Sequence, residues 1–246
     1  MKAFAQASAK EIILVGRTKS RLDSTVSGLL KEFSSTKFTV IAADVTSTKD
    51  VTNLFDSIPG AVDILINNAG FLSTPGNFLD ADLKEYWESF NVNVWGMILV
   101  TQSFLKHREA HKVANASPAV VITVNTLAAF TVRFPNLSAY AASKTAAARV
   151  SELIQEDIPT TSARFISIHP GAVETAMGEK SGLSGALPAT DPQLTAEFIV
   201  WASTEEASFL AGRMAWVNWD KDKLLAKKDE IIVEDSLRSN LKGAGL

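Results

Sequence analysis

The chain has 246 residues, of which 46% are hydrophobic and 21% charged, a composition typical of a globular protein with a sizeable core. Its formal net charge of −3 favours neither nucleic acid nor an anionic membrane as a partner. The chain has no cysteine, which excludes disulfides, thiol nucleophiles and thiolate metal ligands, and no apolar run approaches the length that spans a bilayer. We therefore expect a cytoplasmic protein with no nucleic-acid or membrane partner.

The first third of the chain alternates short apolar runs with amphipathic patterns. The opening letters MKAFAQASAK are typical of part of an amphipathic helix, and EIILVG then predicts a strand. Thr18 is placed to cap the helix that follows this strand. Further along, FTVIAADV predicts a second strand, residues 51–58 predict a helix, and VDILINNAG predicts a third strand that ends in a polar turn.

The same alternation continues to the end of the chain. A period near 3.6 over residues 83–105 predicts one long helix, and the Ala-rich stretch at about 137–156 predicts another. The strands expected here are AVVITVN, RFISIHPG and RMAWVNW, and a helix starting at Asp191 precedes the last of them. This pattern predicts an α/β fold, a doubly wound parallel sheet with helices on both faces. We expect one domain over residues 1–246, with a substrate loop at about 174–190 and a tail at about 220–246.

A tyrosine and a lysine in the letters YAASK are the first candidates for chemistry. Tyr140 and Lys144 are four residues apart on a predicted helix, so both project from one face. A phenol has a pKa of about 10, and a nearby ammonium group lowers it towards neutrality. Thr126, at the end of the preceding strand, is placed to hydrogen-bond a substrate oxygen beside the Tyr140 hydroxyl. The alternatives are a solvated helix for the pair and a strand-end cap for Thr126.

Two more strand ends carry residues that suit a ligand. In NNAG, Asn68 and Gly70 let the backbone approach a flat ligand closely, and in HPGAVET, Val173 and Thr175 can contact a ligand's amide. Each motif could be only a turn, but parallel strands bring their carboxyl ends to one edge, where ligands bind. Elsewhere, His107 and His111 lack an evident third metal ligand, so we expect a solvated helix end and no metal site.

The motifs NNAG, NVNVWG, YAASK and HPGAVET stand in an order and spacing that resemble the short-chain dehydrogenase/reductase family, from Met1 to about Trp219. The letters FLAGRMAWVNWDKDKL are similar to a fungal branch of that family associated with secondary metabolism. The resemblance implies a Rossmann-like fold. It also implies an oxidoreductase that moves hydride between a nicotinamide cofactor and the carbonyl carbon of a small molecule.

The resemblance assigns four catalytic roles. Tyr140 would be the general acid or base on the substrate oxygen, and Lys144 would lower its pKa and bind the nicotinamide ribose. Asn93, in NVNVWG, would support a proton-relay water. Thr126 occupies the position of the family's usual serine and keeps the hydroxyl donor and acceptor.

The resemblance also assigns residues that would hold the cofactor, besides Tyr140 and Lys144. Asp44 would contact the adenine, Asn68 would line the groove, and Val173 and Thr175 would hold the nicotinamide carboxamide. Arg17 ends a strand where NAD-preferring members usually carry an acid. A cationic turn suits a 2′-phosphate, so we expect NADP(H); the alternative is a basic helix start.

The family begins with a strand and a glycine-rich turn that cradles the pyrophosphate at a helix N-terminus. The sequence lacks both, so we expect an N-terminally truncated form of the fold with the first strand and the glycine-rich loop missing. Two alternatives to a carbonyl oxidoreductase therefore stay open. One is a catalytically impaired binding or dimerisation protein, and the other is an isomerase or dehydratase on the same scaffold.

The substrate pocket is expected between residues 130–137, the 174–190 loop and Trp216 or Trp219. These residues are largely apolar and aromatic, which favours a hydrophobic ketone or a polycyclic phenol over a sugar. The helices expected around 83–112 and 137–157 commonly form the subunit contact in this family. We therefore expect a homodimer or homotetramer.

Overall fold

Six strands in parallel pairing form the centre of the protein, as seen in a computed structural model that describes residues 1–132, 134–183, 185 and 188–239. Their order along the chain alternates with helices, as the sequence predicts. The strands are β1 (Glu11–Gly16), β2 (Lys37–Ala42), β3 (Ile64–Asn67), β4 (Ala119–Val124), β5 (Ala163–His169) and β6 (Arg213–Trp216).

The strands form two hydrogen-bonded sheets. One contains β1 and β2, and the other has the order β3-β4-β5-β6. Ile13 of β1 and Leu65 of β3 nevertheless pack against the same hydrophobic cluster, so both sheets share a core. The described residues place no strand that joins the two sheets by backbone hydrogen bonds.

Helices connect successive strands and pack against them. Ser47 and Asp82 cap their helices by accepting backbone hydrogen bonds, and Asp191 caps a helix with proline at its first position, as expected. Thr18 stands at an N-cap, but its side chain makes no capping hydrogen bond. The helices are α1 (Lys2–Gln6), α2 (Lys19–Glu32), α3 (Thr48–Asp56), α4 (Leu83–Phe90), α5 (Met97–Ala110), α6 (Ser138–Asp157), α7 (Ala176–Lys180), α8 (Pro192–Ala202), α9 (Lys221–Ala226) and α10 (Lys228–Val233).

The long helix expected over residues 83–105 is two helices. A π-helical segment, Asn91–Gly96, separates α4 from α5. A π turn of this kind stands inside an otherwise α-helical stretch, so hydrophobic periodicity alone does not reveal it and predicts a continuous helix. Among the described helices, none combines the length and the hydropathy needed to cross a bilayer.

The larger sheet is buried on both faces. Val120 and Ile122 of β4 belong to one hydrophobic cluster, and their neighbours Ala119 and Val121 belong to the other. Burial on both faces is what a parallel sheet between two helix layers requires. The predicted fold class, a doubly wound parallel sheet with helices on both faces, is therefore confirmed.

Candidate active site

Tyr140 and Thr126 come together at the carboxyl end of β4. Tyr140 lies in the first turn of α6, and Thr126 follows β4, where its side chain also accepts a hydrogen bond from the Ala128 N–H. Burial raises the pKa of the Tyr140 phenol to about 12, and a hydrogen bond from Thr126 opposes this rise. Because the two hydroxyl groups interact, a substrate oxygen placed beside one of them is within reach of the other.

In this structure burial dominates the pKa of Tyr140, and its lowering by Lys144 stays a prediction. The ammonium group of Lys144 donates to the backbone carbonyl of Val124 at 2.8 Å, and burial lowers its own pKa to about 8. Both groups are therefore pushed towards their neutral forms by loss of solvent. The sequence places the two side chains on one face, but it does not report how far packing removes them from water.

Asn93 joins the turn after β3 to α6. Its Oδ1 accepts from the Phe71 N–H at 2.8 Å, and its Nδ2 donates to the Phe71 carbonyl at 2.8 Å and to Ser143 Oγ at 2.9 Å. The Ser143 hydroxyl in turn donates to the Tyr140 carbonyl at 2.8 Å. Asn93 lies in the π-helical segment, a feature frequent at functional sites. Sequence reasoning missed Ser143, although it stands between Tyr140 and Lys144 in YAASK.

Gly70 lies against the same group of residues. A Cβ atom at Gly70 would come within 3.4 Å of Asn93 Oδ1, 3.6 Å of Met177 Cε and 3.7 Å of Lys144 Nζ. Asn68 precedes it in the same turn and is exposed. Gly70, Asn93, Met177 and Lys144 thus surround a small space, the Gly70 cradle, in which Lys144 is buried. The chemistry of these groups, an ammonium and an amide oxygen beside a glycine, suits the ribose of a nicotinamide nucleotide once the Met177 side chain moves aside.

Val173 and Thr175 follow β5 at the same edge of the sheet. Thr175 caps α7 by accepting the Gly178 N–H at 3.0 Å, and Val173 precedes this cap. Gly171 has a φ of +79°, and a Cβ there would overlap the Thr190 hydroxyl, so only glycine fits. Thr190 also closes the base of the loop, because it donates its N–H to the Ala172 carbonyl at 3.0 Å.

Arg17 and Asp44 lie at the carboxyl ends of β1 and β2, in the smaller sheet. Asp44 Oδ1 accepts from the N–H and the hydroxyl of Thr46, at 2.9 and 2.7 Å. These bonds lower the pKa of Asp44, and the charge of Arg17 lowers it further, which places Arg17 near it. Lys19 is paired with Asp23 at 2.9 Å. Within the part of the chain that the structure describes, no contact joins Arg17 or Asp44 to Tyr140.

The predicted substrate pocket is partly described. Phe130 is half-buried and Leu137 is buried, whereas Arg133 and three residues of the 174–190 loop (184, 186 and 187) lie outside the described residues. Trp219 packs against the core, and Trp216 stacks on His169 with ring centroids 5.2 Å apart. Trp216 therefore packs across β5 and β6, besides being a candidate for the lining of the pocket.

The three histidines do not form a metal site in the described part of the chain. His107 is buried, with Nε2 2.8 Å from the Gly60 carbonyl, and stacks on His111 at 4.2 Å between ring centroids. His169 is 8% exposed, and burial lowers its pKa to about 4. His169 is the last residue of β5 and packs there against Trp216. The expectation of a solvated helix end fits His111 and fails for the buried His107.

Comparison with known proteins gives the family. A short chain dehydrogenase model matches residues 1–184. A short chain dehydrogenase of Monascus purpureus, mpl6, is 31% identical over 97% of this chain and 82% of its own. A second, pigC of Monascus ruber, is 31% identical over 96% of this chain and 79% of its own.

Solved structures share the fold. Actinorhodin polyketide ketoreductase with NADPH superposes with a TM-score of 0.77 at 17% identity, over 88% of each chain. The 3-ketoacyl-(acyl-carrier-protein) reductase from Brucella melitensis complexed with NADH superposes with a TM-score of 0.75 at 26% identity, over 88% of this chain and 89% of that one. The chain therefore belongs to the short-chain dehydrogenase/reductase family, and its Monascus relatives confirm the resemblance to a fungal branch.

Proposed function

We propose that the protein is an NADP(H)-dependent oxidoreductase that interconverts a carbonyl and an alcohol on a hydrophobic small molecule in secondary-metabolite biosynthesis. Its family supplies the class, a carbonyl/alcohol oxidoreductase with a nicotinamide cofactor. The observation that carries the proposal is the interacting pair of hydroxyl groups of Tyr140 and Thr126. Lys144, one turn further along α6, places its Nζ 3.7 Å from a Cβ atom built at Gly70.

The roles follow from the protonation states. A pKa of about 12 keeps the Tyr140 phenol protonated at neutral pH, so it can donate a proton to a carbonyl oxygen. The Thr126 hydroxyl hydrogen-bonds the same oxygen and fixes its position. A bound nicotinamide supplies hydride to the carbonyl carbon, or accepts hydride when the alcohol is oxidised. In the oxidation direction Tyr140 must act as a base, which requires the Lys144 ammonium to turn towards the phenolate.

The cofactor would be held by backbone and side-chain groups along the sheet edge. Lys144 and Asn68 would contact the nicotinamide ribose and the groove, and Val173 and Thr175 would hold the carboxamide. Asn93 positions the Gly70 turn through both Phe71 backbone groups, and its proposed catalytic role is to support a proton-relay water.

The preference for NADP(H) rests on Arg17. Arg17 is exposed just after β1 and lies close to Asp44. One oxygen of the Asp44 carboxylate already accepts hydrogen bonds from Thr46. A guanidinium group at this point binds a 2′-phosphate through charge-assisted hydrogen bonds. No acidic side chain follows β1 directly to bind the free ribose hydroxyls of NAD(H).

Subunit association is proposed through α4 and α6. Leu83 and Trp87 are one helical turn apart on α4 and are 67% and 68% exposed, and Leu153 on α6 is 51% exposed. Large apolar side chains that cluster on a helix face mark an interaction surface. A second copy of the chain is the proposed partner, in a homodimer or homotetramer. A cytoplasmic location stays a prediction from composition.

The test is a paired measurement on the wild type and Tyr140→Phe. We expect the wild type to bind NADPH, seen by nicotinamide fluorescence, and to reduce an apolar ketone. Tyr140→Phe should retain NADPH binding and lose at least about 100-fold in kcat, because a general acid contributes roughly 10²–10⁴-fold. Full activity in Tyr140→Phe would refute the assigned mechanism.

The alternatives have their own outcomes in the same experiment. A wild type that dimerises without binding NADPH would be a binding or dimerisation protein. A wild type that binds cofactor and converts a hydroxy compound with no net redox change would be an isomerase or dehydratase. Preference for small polar carbonyls in a substrate panel would refute the hydrophobic substrate class.

A further inference from the structure

Lys180, the last residue of α7, reaches across to the loop that follows β3. Its ammonium group donates to the Leu72 carbonyl at 2.7 Å and to Glu85 Oε1 at 3.1 Å, and lies 5.2 Å from the centroid of the Phe71 ring. Lys180 is 108 residues from Leu72 and 95 residues from Glu85 in the sequence, so these contacts join distant parts of the chain. Lys180 thus connects three separate segments of the fold.

The segment that Lys180 contacts is the one that Asn93 holds. Both backbone groups of Phe71 bond to the Asn93 side chain, whose Nδ2 also reaches Ser143 on α6. Thr74, two residues beyond Leu72, donates its hydroxyl to the same Glu85 oxygen at 3.1 Å. Glu85 therefore ties the loop after β3 to both α4 and Lys180.

The position of α7 decides what covers the catalytic lysine. Met177, on α7, brings its Cε within 3.6 Å of a Cβ built at Gly70, a point that lies 3.7 Å from Lys144 Nζ. The base of the loop is fixed by Thr190 and Ala172, so α7 is held at one end by that pair and at the other by Lys180. A ligand that enters the Gly70 cradle must displace the Met177 side chain.

We propose that Lys180 is a positioning residue that latches α7, through Leu72 and Glu85, over the Gly70–Lys144 cradle. The latch sets how often Met177 leaves the cradle and how firmly Thr175 is held beside the cofactor after closure. The effect on turnover rests on the proposed function, whereas the effect on α7 does not. Since the side chains of Lys180 and Glu85 are 41% and 30% exposed, the ion pair contributes little free energy, as exposed ion pairs do.

The first test is hydrogen–deuterium exchange of the ligand-free chain. Lys180→Met removes both bonds, and we expect the α7 amides, such as Glu179 N–H, to exchange about fivefold faster, with β4 and β5 unchanged. Lys84→Met removes a neighbouring exposed charge from α4 and should leave α7 at the wild-type rate. Wild-type exchange of α7 in Lys180→Met would overturn the latch.

A second variant separates a local effect on α7 from a loss of stability of the whole fold. Glu85→Gln keeps the Leu72 bond, so its α7 amides should exchange at a rate between those of the wild type and Lys180→Met. If Lys180→Met loses protection throughout the chain, Glu85→Gln alone decides, and wild-type exchange in it overturns the proposal. Lys180→Arg, which retains both bonds, should restore protection.

The second test uses NADPH and an apolar ketone. In Lys180→Met we expect the KM for NADPH to rise about fivefold while kcat changes less than twofold, since the latch acts on closure and not on the proton transfer. An unchanged KM with altered exchange would overturn the role in cofactor retention. Failure of the wild type to bind NADPH would refute the proposed function and leave the exchange result as the test of the latch.

Discussion

His169 predicts a steep dependence of stability on pH. Its ring is 8% exposed and stacked on Trp216, and its Nδ1 has no hydrogen-bond partner in the described part of the chain. Burial therefore lowers its pKa from 6.5 to about 4, because the imidazolium would lose its hydration without gaining a partner. The folded state thus takes up this proton later than the unfolded state as the pH falls.

The sign and size follow from linkage. Between pH 6.5 and pH 4 the unfolded chain binds a proton that the folded chain does not, so the free energy of unfolding falls as the pH falls. At about 1.36 kcal/mol per pKa unit the complete loss is roughly 3 kcal/mol, and about 2 kcal/mol of it is present at about pH 5. The contribution is fully recovered above pH 6.5.

The assay is urea unfolding of the wild type and of His169→Phe at about pH 7.5 and 5. His169→Phe keeps a ring against Trp216 and removes the titrating group. The drop in unfolding free energy between the two pH values should be about 2 kcal/mol smaller in the variant, whatever its absolute stability. His111→Phe, at an exposed helix end, retains His169 and should keep the larger drop. An equal drop in His169→Phe and the wild type would refute the reasoning.

Two further changes test the cofactor turn and the subunit contact. Arg17→Glu should weaken NADPH binding by at least about tenfold and NADH binding much less, because it replaces the cation proposed to bind the 2′-phosphate with a repelling charge. Arg21→Glu is the matched control on α2, and equal losses in both variants would show a general field effect. Trp87→Glu should shift the protein to a monomer by light scattering, since it puts a charge into the proposed apolar contact. Lys84→Glu, next to Leu83 on the same helix, should leave the oligomer intact, and an unchanged mass in Trp87→Glu would exclude α4 from the interface.

The parts of the structure that follow local rules could be predicted from the sequence. The strands and helices follow hydrophobic period and capping, and Tyr140 and Lys144 share a face because they are four residues apart on α6. The protonation of Tyr140 could not be predicted in this way, because it depends on how tightly distant segments bury the phenol. The contacts of Lys180 could not be predicted either, because its partners Leu72 and Glu85 are remote in sequence.

The division of the sheet bears directly on how the site would work. Thr126 follows β4 of the larger sheet, and Tyr140 and Lys144 lie on the helix α6 that comes next. Arg17 and Asp44 follow β1 and β2 of the smaller sheet. The two sheets share a core through side chains such as Ile13 and Leu65, which fixes their spacing less firmly than a hydrogen-bonded ladder would. A dinucleotide that contacts both groups would therefore bridge the sheets, and its binding energy would add to the stability of the pair.

Through this coupling the 2′-phosphate would affect the stability of the fold as well as the choice of cofactor. If Arg17 binds it, NADPH holds β1 and β2 to the Gly70 cradle through two contacts, whereas NADH, which lacks the 2′-phosphate, keeps only the adenine contact at Asp44. Saturating NADPH at about 100 times its Kd would stabilise the fold by about 2.7 kcal/mol, and the gain would spread to β1 and β2. Exchange protection of the β1 amides that rises more with saturating NADPH than with saturating NADH is the signature of this bridge, because Tyr140, Thr126 and Lys144 give no reason for such a difference.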